Sequence, residues 1–305
     1  MGETSGAFGS ACPLCGLAAS NTVVELGGFR VVRCRGCGLG RTQPLNRVEP
    51  PVSPYTVANR LTAYKSRFAE LTQRYRRQLD EIRAAGAPPG GTLLDVGCSL
   101  GLFLSVARDQ GYNVHGVEVA GETARYAQSR LGLDVFCGTL EAARYPDSSF
   151  DVVTFWDVVE HVRHPVGLLT EARRILKDGG LVAVQSPNME SRMARVSGPR
   201  WSWWTVPDHL YHFTPATMRS LLELCGFHVE TLRTWEPPMD LLYDLLIATL
   251  PAPFVAPGLA GRVGRRLARC VASVGWRSVT PVQRVLWQRG EGGLVVAYAS
   301  KRSGG

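Results

Sequence analysis

The sequence is poor in lysine, and it lacks both a long unbroken apolar run and an apolar N-terminal segment. Of its 34 basic residues only three are lysines, so arginine carries most of the net charge of +8. An arginine excess of this kind is weak evidence for nucleic-acid binding. The longest apolar stretch without charge, 245–261, is interrupted by three prolines, which argues against a transmembrane helix. Since no secretory signal is recognisable, we expect a cytoplasmic protein.

Four of the eight cysteines form two C-x-x-C pairs, Cys12 with Cys15 and Cys34 with Cys37, and a glycine follows each pair. Four sulfurs presented by two glycine turns suit a closed, tetrahedral Zn²⁺ site. The stretch between the pairs reads as a hairpin around Gly27-Gly28. The pattern predicts a zinc ribbon with structural zinc rather than two disulfides, which a cytosolic chain disfavours. The other cysteines lie singly in apolar segments and are expected to be buried: Cys98, Cys137, Cys225 and Cys270.

Strands and helices alternate after a proline-rich linker and a long helix predicted over 61–85. The predicted strands are 92–98, 113–119, 134–137, 150–157, 181–185, 228–235 and 293–300. Repeated βα units form a parallel sheet with helices on both faces. We therefore expect an α/β fold, with a Rossmann-like seven-stranded sheet preceded by the small zinc ribbon.

The first of these strands ends in a glycine turn, Gly97-Cys-Ser99-Leu-Gly101. Such a turn lets the backbone approach a ligand closely, and the helix after it offers free N–H groups. A dinucleotide fingerprint matches poorly, because Ser99 and Leu102 stand at glycine positions. The turn matches the G-x-S-x-G elbow of hydrolases literally, but the strands that would supply the oxyanion donors do not precede it.

Two acids beside the turn favour a ligand with little negative charge. Asp95 lies just before the glycines, where it would repel a pyrophosphate and attract an ammonium group. Glu118 ends the next strand, where a carboxylate binds ribose hydroxyls. The two acids together predict a nucleoside that carries an amino-acid group.

These residues resemble motif I and its acidic partner in the class I S-adenosylmethionine-dependent methyltransferases. The resemblance extends from Thr92 past Val229 and includes the strand at 150–153, the Asp157-Val-Val-Glu-His segment and Ser186-Pro-Asn. Within that class the chain resembles methyltransferase domain family 23 and the ubiquinone-biosynthesis-type O-methyltransferases. We predict a zinc ribbon over 1–45, a linker and lid helix over 46–90, and a methyltransferase domain over 91–305 with an amphipathic insertion at about 236–290.

The resemblance implies S-adenosylmethionine as cofactor, bound at the carboxyl ends of the strands. The residues implied for this site are Asp95, Gly97, Cys98, Ser99, Gly101, Glu118, Val119, Thr139, Leu140, Trp156 and Asp157. Two of them depart from the family's pattern. Ser99 stands where many members carry a second glycine, and Thr139 stands where many carry an aspartate near the adenine.

Asp157, Glu160 and His161 follow the fourth strand with a spacing that puts them on one helical face. The plain interpretation is a capped helix with solvated acids. One alternative is contact with the methyl acceptor, with His161 as a catalytic candidate. The other is a second metal, because the set is similar to the Glu-x-x-Glu-His ligands of the quinone O-methyltransferases.

A loop rich in tryptophan and histidine, 201–213, lies between the fifth strand and the next helix. It resembles a segment of a methyltransferase group whose acceptors are poorly defined. Its three tryptophans would wall an apolar acceptor pocket, with His209 or His212 as the base and Asp208 beside them. Alternatively, the loop forms a small satellite core with its histidines bonded to backbone.

The insertion is strongly basic, since residues 245–290 contain seven arginines and no acid. Aliphatic residues within 259–274 form one stripe, and the arginines lie largely opposite it. The plain interpretation is an amphipathic cover over the substrate pocket. The alternatives are contact of 241–289 with an anionic membrane or a lipid-linked acceptor, or with RNA.

The leading functional hypothesis is a small-molecule methyltransferase that acts at oxygen, on a specialised-metabolite, sugar or lipid-linked acceptor. The alternative is an RNA methyltransferase that docks its substrate through the ribbon, but the ribbon has few aromatic side chains on which bases would stack. A non-catalytic, cofactor-binding scaffold is the third hypothesis.

Overall fold

The structure is a computed structural model that describes residues 11–45, 57–254, 259–275 and 280–302. It divides into two compact units, each assembled from separate stretches of chain. The first unit contains Met1–Pro51, Ser186–Met218 and Leu232–Val296. The second unit contains Val52–Gln185, Arg219–Thr231 and Ala297–Gly305.

The strands are, in chain order, β1 (Ser20–Leu26), β2 (Phe29–Cys34), β3 (Gly40–Pro44), β4 (Thr92–Val96), β5 (Asn113–Glu118), β6 (Asp134–Cys137), β7 (Phe150–Trp156), β8 (Leu176–Pro187), β9 (Tyr211–His212), β10 (Phe227–Trp235) and β11 (Leu294–Lys301). The α-helices are α1 (Val57–Ala84), α2 (Leu102–Asp109), α3 (Gly121–Leu131), α4 (Leu140–Ala143), α5 (Pro165–Ile175), α6 (Arg192–Ser197), α7 (Pro215–Leu224), α8 (Pro238–Thr249), α9 (Leu259–Gly275) and α10 (Thr280–Gln288).

A seven-stranded sheet has the order β10-β11-β8-β7-β4-β5-β6, and its strands β4 to β7 lie wholly within the second unit. The pairings of β4 with β5 and β7, of β5 with β6 and of β7 with β8 are parallel. Leu93, Leu94, Val152 and Val153 are fully buried on adjacent strands, as expected where both faces of a sheet are covered. The predicted α/β, Rossmann-like sheet is confirmed.

Helix α1 also belongs to the second unit and begins four residues before the predicted helix. Its last turns bury Leu79 and Ile82 completely. Between them, Glu81 accepts a hydrogen bond from the Tyr298 hydroxyl at 2.6 Å. These contacts fix α1 by its C-terminal half.

The first unit contains an antiparallel sheet with the order β1-β2-β3-β9. The predicted hairpin is present, with Gly27 and Gly28 at φ of +55° and +85° in its turn. Strand β9 pairs with β3 through Gly40 opposite His212 and Arg41 opposite Tyr211. Thus two residues distant in sequence complete the sheet of the cysteine-bearing hairpin.

The burial predicted for the four single cysteines is only half right. Cys98 and Cys225 are buried, whereas Cys137 and Cys270 are exposed. Cys137 is the last residue of β6, an edge strand, and Cys270 lies on the outward side of α9. Apolar neighbours in the sequence therefore did not distinguish buried cysteines from exposed ones.

Candidate functional site

The glycine turn after β4 has the backbone that its sequence predicts. Gly97 has φ of +75°, and a Cβ there would lie 2.6 Å from Cγ2 of Val158. Gly101 has φ of +80°, and a Cβ there would lie 2.3 Å from Cδ1 of Leu133. Only glycine fits both positions, because any side chain would combine strain with a collision.

Glu118, the last residue of β5, connects the glycine turn to the end of that strand. One of its carboxylate oxygens accepts the N–H of Ser99 at 2.8 Å, and the other accepts the N–H of Ala120 at 2.8 Å. Each oxygen keeps a lone pair for a further donor. The carboxylate is thus held in place and can still accept hydrogen bonds from ligand hydroxyls.

Asp95 is buried near the end of β4, and the Thr154 hydroxyl donates a hydrogen bond to its Oδ1 at 2.6 Å. Burial, aided by the charge of Glu118 and opposed by the Thr154 hydrogen bond, raises the pKa of Asp95 to about 8. A cation bound nearby would favour the ionised form. The electrostatics therefore favour a positively charged ligand.

A cavity of about 470 Å³ opens beside these groups in the second unit. Of the predicted cofactor residues, those that line it are Gly97, Ser99, Glu118, Val119, Thr139, Leu140 and Asp157. Val119 is 69% exposed, which offers an apolar surface for a flat ring to cover. The other predicted cofactor residues lie behind or beside this lining: Asp95, Cys98, Gly101 and Trp156.

Asp157 lies on the cavity wall in the left-handed backbone region, with φ of +58°. Its Oδ1 accepts a hydrogen bond from Nε2 of Gln185 at 2.7 Å, and its Oδ2 lies 3.7 Å from Nη2 of Arg74. Both oxygens are therefore engaged by protein groups. This arrangement disfavours a second metal ion on Asp157.

Sequence reasoning missed the part that α1 plays here. Arg74 and Gln78 both project from that helix, and Gln78 donates to Oε1 of Gln185 at 3.3 Å. Arg60, on the first turn of α1, lines the cavity. The sequence offered no motif around these polar residues, and the helix was predicted only as a lid.

His161 is the catalytic candidate that the structure brings to the cavity wall, together with Arg163 and His164. The N–H of His161 donates to the carbonyl of Val158 at 3.0 Å, which shapes the turn after β7. Glu160, predicted beside it, is fully buried, and the chain at 157–161 forms a turn, so the interpretation as a capped helix with solvated acids is wrong.

The other catalytic candidates, Asp208, His209 and His212, belong to the first unit. His212 is buried, and burial lowers its pKa to about 3, so its ring is neutral. The Thr42 hydroxyl donates to the carbonyl of His209 at 2.5 Å and lies 2.9 Å from Nε2 of His212. Since that hydroxyl proton is already used, Nε2 of His212 is the donor to Thr42.

The tryptophans of the same segment form a core with the hairpin. Trp201 and Trp204 are buried and meet edge to face at 4.9 Å, and the Trp204 ring lies 5.2 Å from that of His212. The remaining buried members of this core are Val24, Val31, Met189, Met193, Ala194, Leu241 and Leu286. The geometry corresponds to the satellite-core interpretation of the segment.

The four predicted zinc ligands lie together. Sγ of Cys12 is 3.4 Å from Sγ of Cys37, Sγ of Cys15 is 3.5 Å from Sγ of Cys34, and all four sulfurs lie within 4.8 Å of one another. Zn–S bonds of about 2.3 Å in a tetrahedron require sulfurs just under 4 Å apart. The donor set therefore has the size and chemistry that Zn²⁺ requires.

Comparison with known proteins decides the family. The model of a family described as "Methyltransferase domain" matches residues 67–232, more than half of the chain. The chain belongs to this methyltransferase family. The resemblance to the class I S-adenosylmethionine-dependent methyltransferases is thereby confirmed, and the protein is a methyltransferase enzyme.

Two relatives and one solved structure illustrate how similar the methyltransferase is to known chains. It is 31% identical over 192 residues to a ubiquinone biosynthesis O-methyltransferase of Cereibacter sphaeroides, covering 56% of this chain and 72% of the relative. It is 29% identical over 149 residues to a probable S-adenosylmethionine-dependent methyltransferase of Mycolicibacterium smegmatis, covering 48% and 56%. A SAM-dependent methyltransferase from Archaeoglobus fulgidus shares the fold, with a TM-score of 0.53, 21% identity and coverage of 79% and 98%.

Among the described residues of the methyltransferase, no helix combines the length and the apolar character that crossing a bilayer requires.

Proposed function

We propose that the protein transfers a methyl group from S-adenosylmethionine to a hydroxyl oxygen of a small-molecule acceptor. The observation that carries this proposal is the cavity bordered by Gly97, Ser99 and Glu118, with the buried carboxyl of Asp95 behind it. A nucleoside that bears positive charge suits both a fixed carboxylate for hydroxyls and a buried acid that gains from a nearby cation.

Different residues of the site would bind different parts of S-adenosylmethionine. Glu118 accepts hydrogen bonds from the ribose hydroxyls, and Val119, Thr139 and Leu140 border the adenine. The backbone of 97–99 and the carboxylate of Asp95 attract the amino-acid end. Cys98, Gly101, Trp156 and Asp157 hold the surrounding turns in shape.

S-adenosylmethionine supplies a methyl group activated by a sulfonium sulfur: an acceptor oxygen would attack the methyl carbon in line, the carbon–sulfur bond would break, and the neutral thioether would leave. The remaining task of the protein is to orient the acceptor and to remove its proton. We assign the proton transfer to His161, because it borders the same cavity as Gly97 and Glu118. We assign His212 a structural role, since its buried neutral ring donates to Thr42.

The choice of a small hydroxyl acceptor is supported by the relatives, several of which are named ubiquinone biosynthesis O-methyltransferases. Specialised-metabolite, sugar and lipid-linked acceptors all carry such hydroxyls.

We further propose that Cys12, Cys15, Cys34 and Cys37 coordinate a structural Zn²⁺ ion. Four sulfurs leave no open coordination position, so the ion stabilises the ribbon and takes no part in methyl transfer.

Calorimetry followed by a labelled-methyl assay tests the proposal. We expect heat on titration with S-adenosylmethionine and with its demethylated product, and label in a small-molecule fraction of cell extract. No heat with either compound would refute the cofactor assignment, and label entering total RNA would refute the acceptor class.

His161→Asn tests the base. We expect turnover to fall about 10²- to 10⁴-fold with unchanged affinity for S-adenosylmethionine, because general-base catalysis contributes that much. His228→Asn, at an exposed histidine on β10, is the control. If His209→Asn lowers turnover to that degree and His161→Asn does not, the base lies in the tryptophan–histidine segment instead.

A further inference from the structure

Helix α9 buries the side opposite to the one its hydrophobic pattern predicts. The positions it turns inward, against α8 and the turn at Ala252–Phe254, are occupied by the smallest residues: Gly261, Gly264, Ala268 and Ala272. A Cβ at Gly264 would lie 2.2 Å from the carbonyl oxygen of Phe254. Close backbone packing therefore selects the small-residue side, and the expected burial of the aliphatic stripe is wrong.

The aliphatic stripe of α9 consequently faces water. Leu259 is 71% exposed, Val263 53%, Leu267 65% and Val271 49%. These residues repeat every four positions, so they form one continuous stripe about 18 Å long rather than scattered single side chains. Exposed apolar patches of this kind mark interaction surfaces.

Positive charge runs alongside this stripe. Arg262, Arg266 and Arg269 lie next to one another on the neighbouring side of the helix, and all three are exposed. The guanidinium of Arg269 lies 5.6 Å from the centre of the Tyr243 ring, which holds it at the helix flank. No acid occurs from 245 to 290 to neutralise these groups.

Helix α10 repeats the same arrangement on a smaller scale. It buries Gln283 and Leu286 but leaves Val282 and Val285 about half exposed, with Arg284 also exposed. The exposed side of the insertion therefore combines aliphatic side chains with arginines on two helices.

We propose that the outward side of α9 docks on an anionic lipid bilayer. The aliphatic stripe would enter the boundary between headgroups and acyl chains, and the arginines beside it would bind lipid phosphates. Charge selects this occupant: a second copy of the chain would bring Arg262, Arg266 and Arg269 against their own counterparts, at a cost in repulsion. RNA would pair with the arginines but leave the leucines and valines in water.

Vesicle flotation of the full chain tests the proposal. We expect flotation with mixed phosphatidylcholine–phosphatidylglycerol vesicles and little with phosphatidylcholine alone, and we expect salt to weaken it. Leu267→Asp should lower the partition coefficient about tenfold or more, because it places a charge where a leucine would be buried. Arg262→Gln with Arg266→Gln should lower it about fivefold for each arginine removed.

Two matched controls accompany these variants, Leu224→Asp on α7 and Arg130→Gln on α3, both exposed in the second unit. Both should float like the wild type. The α9 variants should bind S-adenosylmethionine with unchanged heat, which separates loss of docking from misfolding and from failure of the cofactor assignment.

Three outcomes would overturn the proposal. One is no flotation with the mixed vesicles at low salt, and another is flotation that the α9 variants do not reduce. The third is a wild-type chain that sediments as a dimer, or that shifts total RNA, and loses this behaviour with Leu267→Asp.

Discussion

In the second unit, the turns after β4, β5 and β7 leave a cavity of about 470 Å³ lined by Glu118, Asp157 and His161. In the first unit, the segment 201–213 buries Trp201, Trp204 and His212, and the two tryptophans belong to a hydrophobic core. Both regions contain the residue types that catalysis uses. Glycines at positive φ keep the first region open, while aromatic rings and a short strand pairing close the second. Residue type alone therefore does not identify a site, and the packing around it does.

Removing the metal should destabilise the first unit more than any other change considered below. Cys34→Ser, or a strong chelator, is expected to cost the ribbon about 10 kcal/mol of folding free energy, because the remaining thiols do not replace metal–sulfur bonds. Tryptophan fluorescence should change together with circular dichroism, since Trp201 and Trp204 share a core with Val24 and Val31. Native mass spectrometry reports the ion. Cys270→Ser, at an exposed cysteine, should leave both signals unchanged.

Trp201→Ala tests whether Trp201 is a core residue or part of the wall of an acceptor pocket. We expect a loss of about 3–5 kcal/mol in the free energy of unfolding, as for other large core residues cut to alanine. Denaturant unfolding measures it, and calorimetry should give an unchanged affinity for S-adenosylmethionine. A stable variant with impaired turnover of a small acceptor would instead support a pocket wall.

Glu118→Ala should have the opposite profile. We expect S-adenosylmethionine to bind about 10- to 100-fold more weakly, because hydrogen bonds to a charged group are lost. The free N–H groups of Ser99 and Ala120 would add a modest loss of stability. Glu122→Ala, at an exposed acid on α3, is the matched control. Equal affinities in the two variants would exclude the ribose contact.

The closed region should also show in the pH dependence of stability. Burial, aided by the charge of Asp240, raises the pKa of Asp244 to about 7, and the Ser202 N–H opposes this. Unfolding restores an ordinary pKa near 4. The contribution of Asp244 is therefore fully present below about pH 4 and is lost as the pH rises to about 7.

Asp244→Asn should flatten that decline. At pH 8 we expect the variant to be more stable than the wild type by roughly 1–3 kcal/mol, with little difference at pH 4. Thermal unfolding across this pH range provides the measurement. Asp109→Asn, at an exposed position, should follow the wild-type curve, and an Asp244→Asn curve parallel to the wild type would contradict the assignment.

Local pattern predicted the frame of the second unit well. Strands β4 to β7 lie within two residues of their expected bounds, because each is a short apolar run between glycines or polar turns. Strand β8 begins five residues before the expected strand, because Leu176 already pairs with Phe150, before a register shift that brings Leu181 opposite Val152. The cofactor turn was predictable because its glycines are needed by the backbone itself.

Features that depend on distant contacts were not predictable. The β3–β9 pairing joins residues far apart in sequence, and neither strand has a pattern that requires the other. In α9 the periodicity located the apolar side correctly, but small residues on the opposite side allowed closer packing there. Arg74 and Gln185 act through Asp157, and neither belongs to a recognisable motif.

The pairing of β3 with β9 links the cysteine site to the histidines of the segment 201–213. Thr42 follows the second cysteine pair by only a few residues, and its hydroxyl connects the backbone of His209 with the ring of His212. Peroxide or a zinc-stripping drug that attacks the sulfurs would thus disturb those histidines without reacting with them. Trimming the gene to begin after residue 45 would deprive β9 of its neighbour, so the ribbon is an integral part of the first unit and cannot be treated as a removable tag.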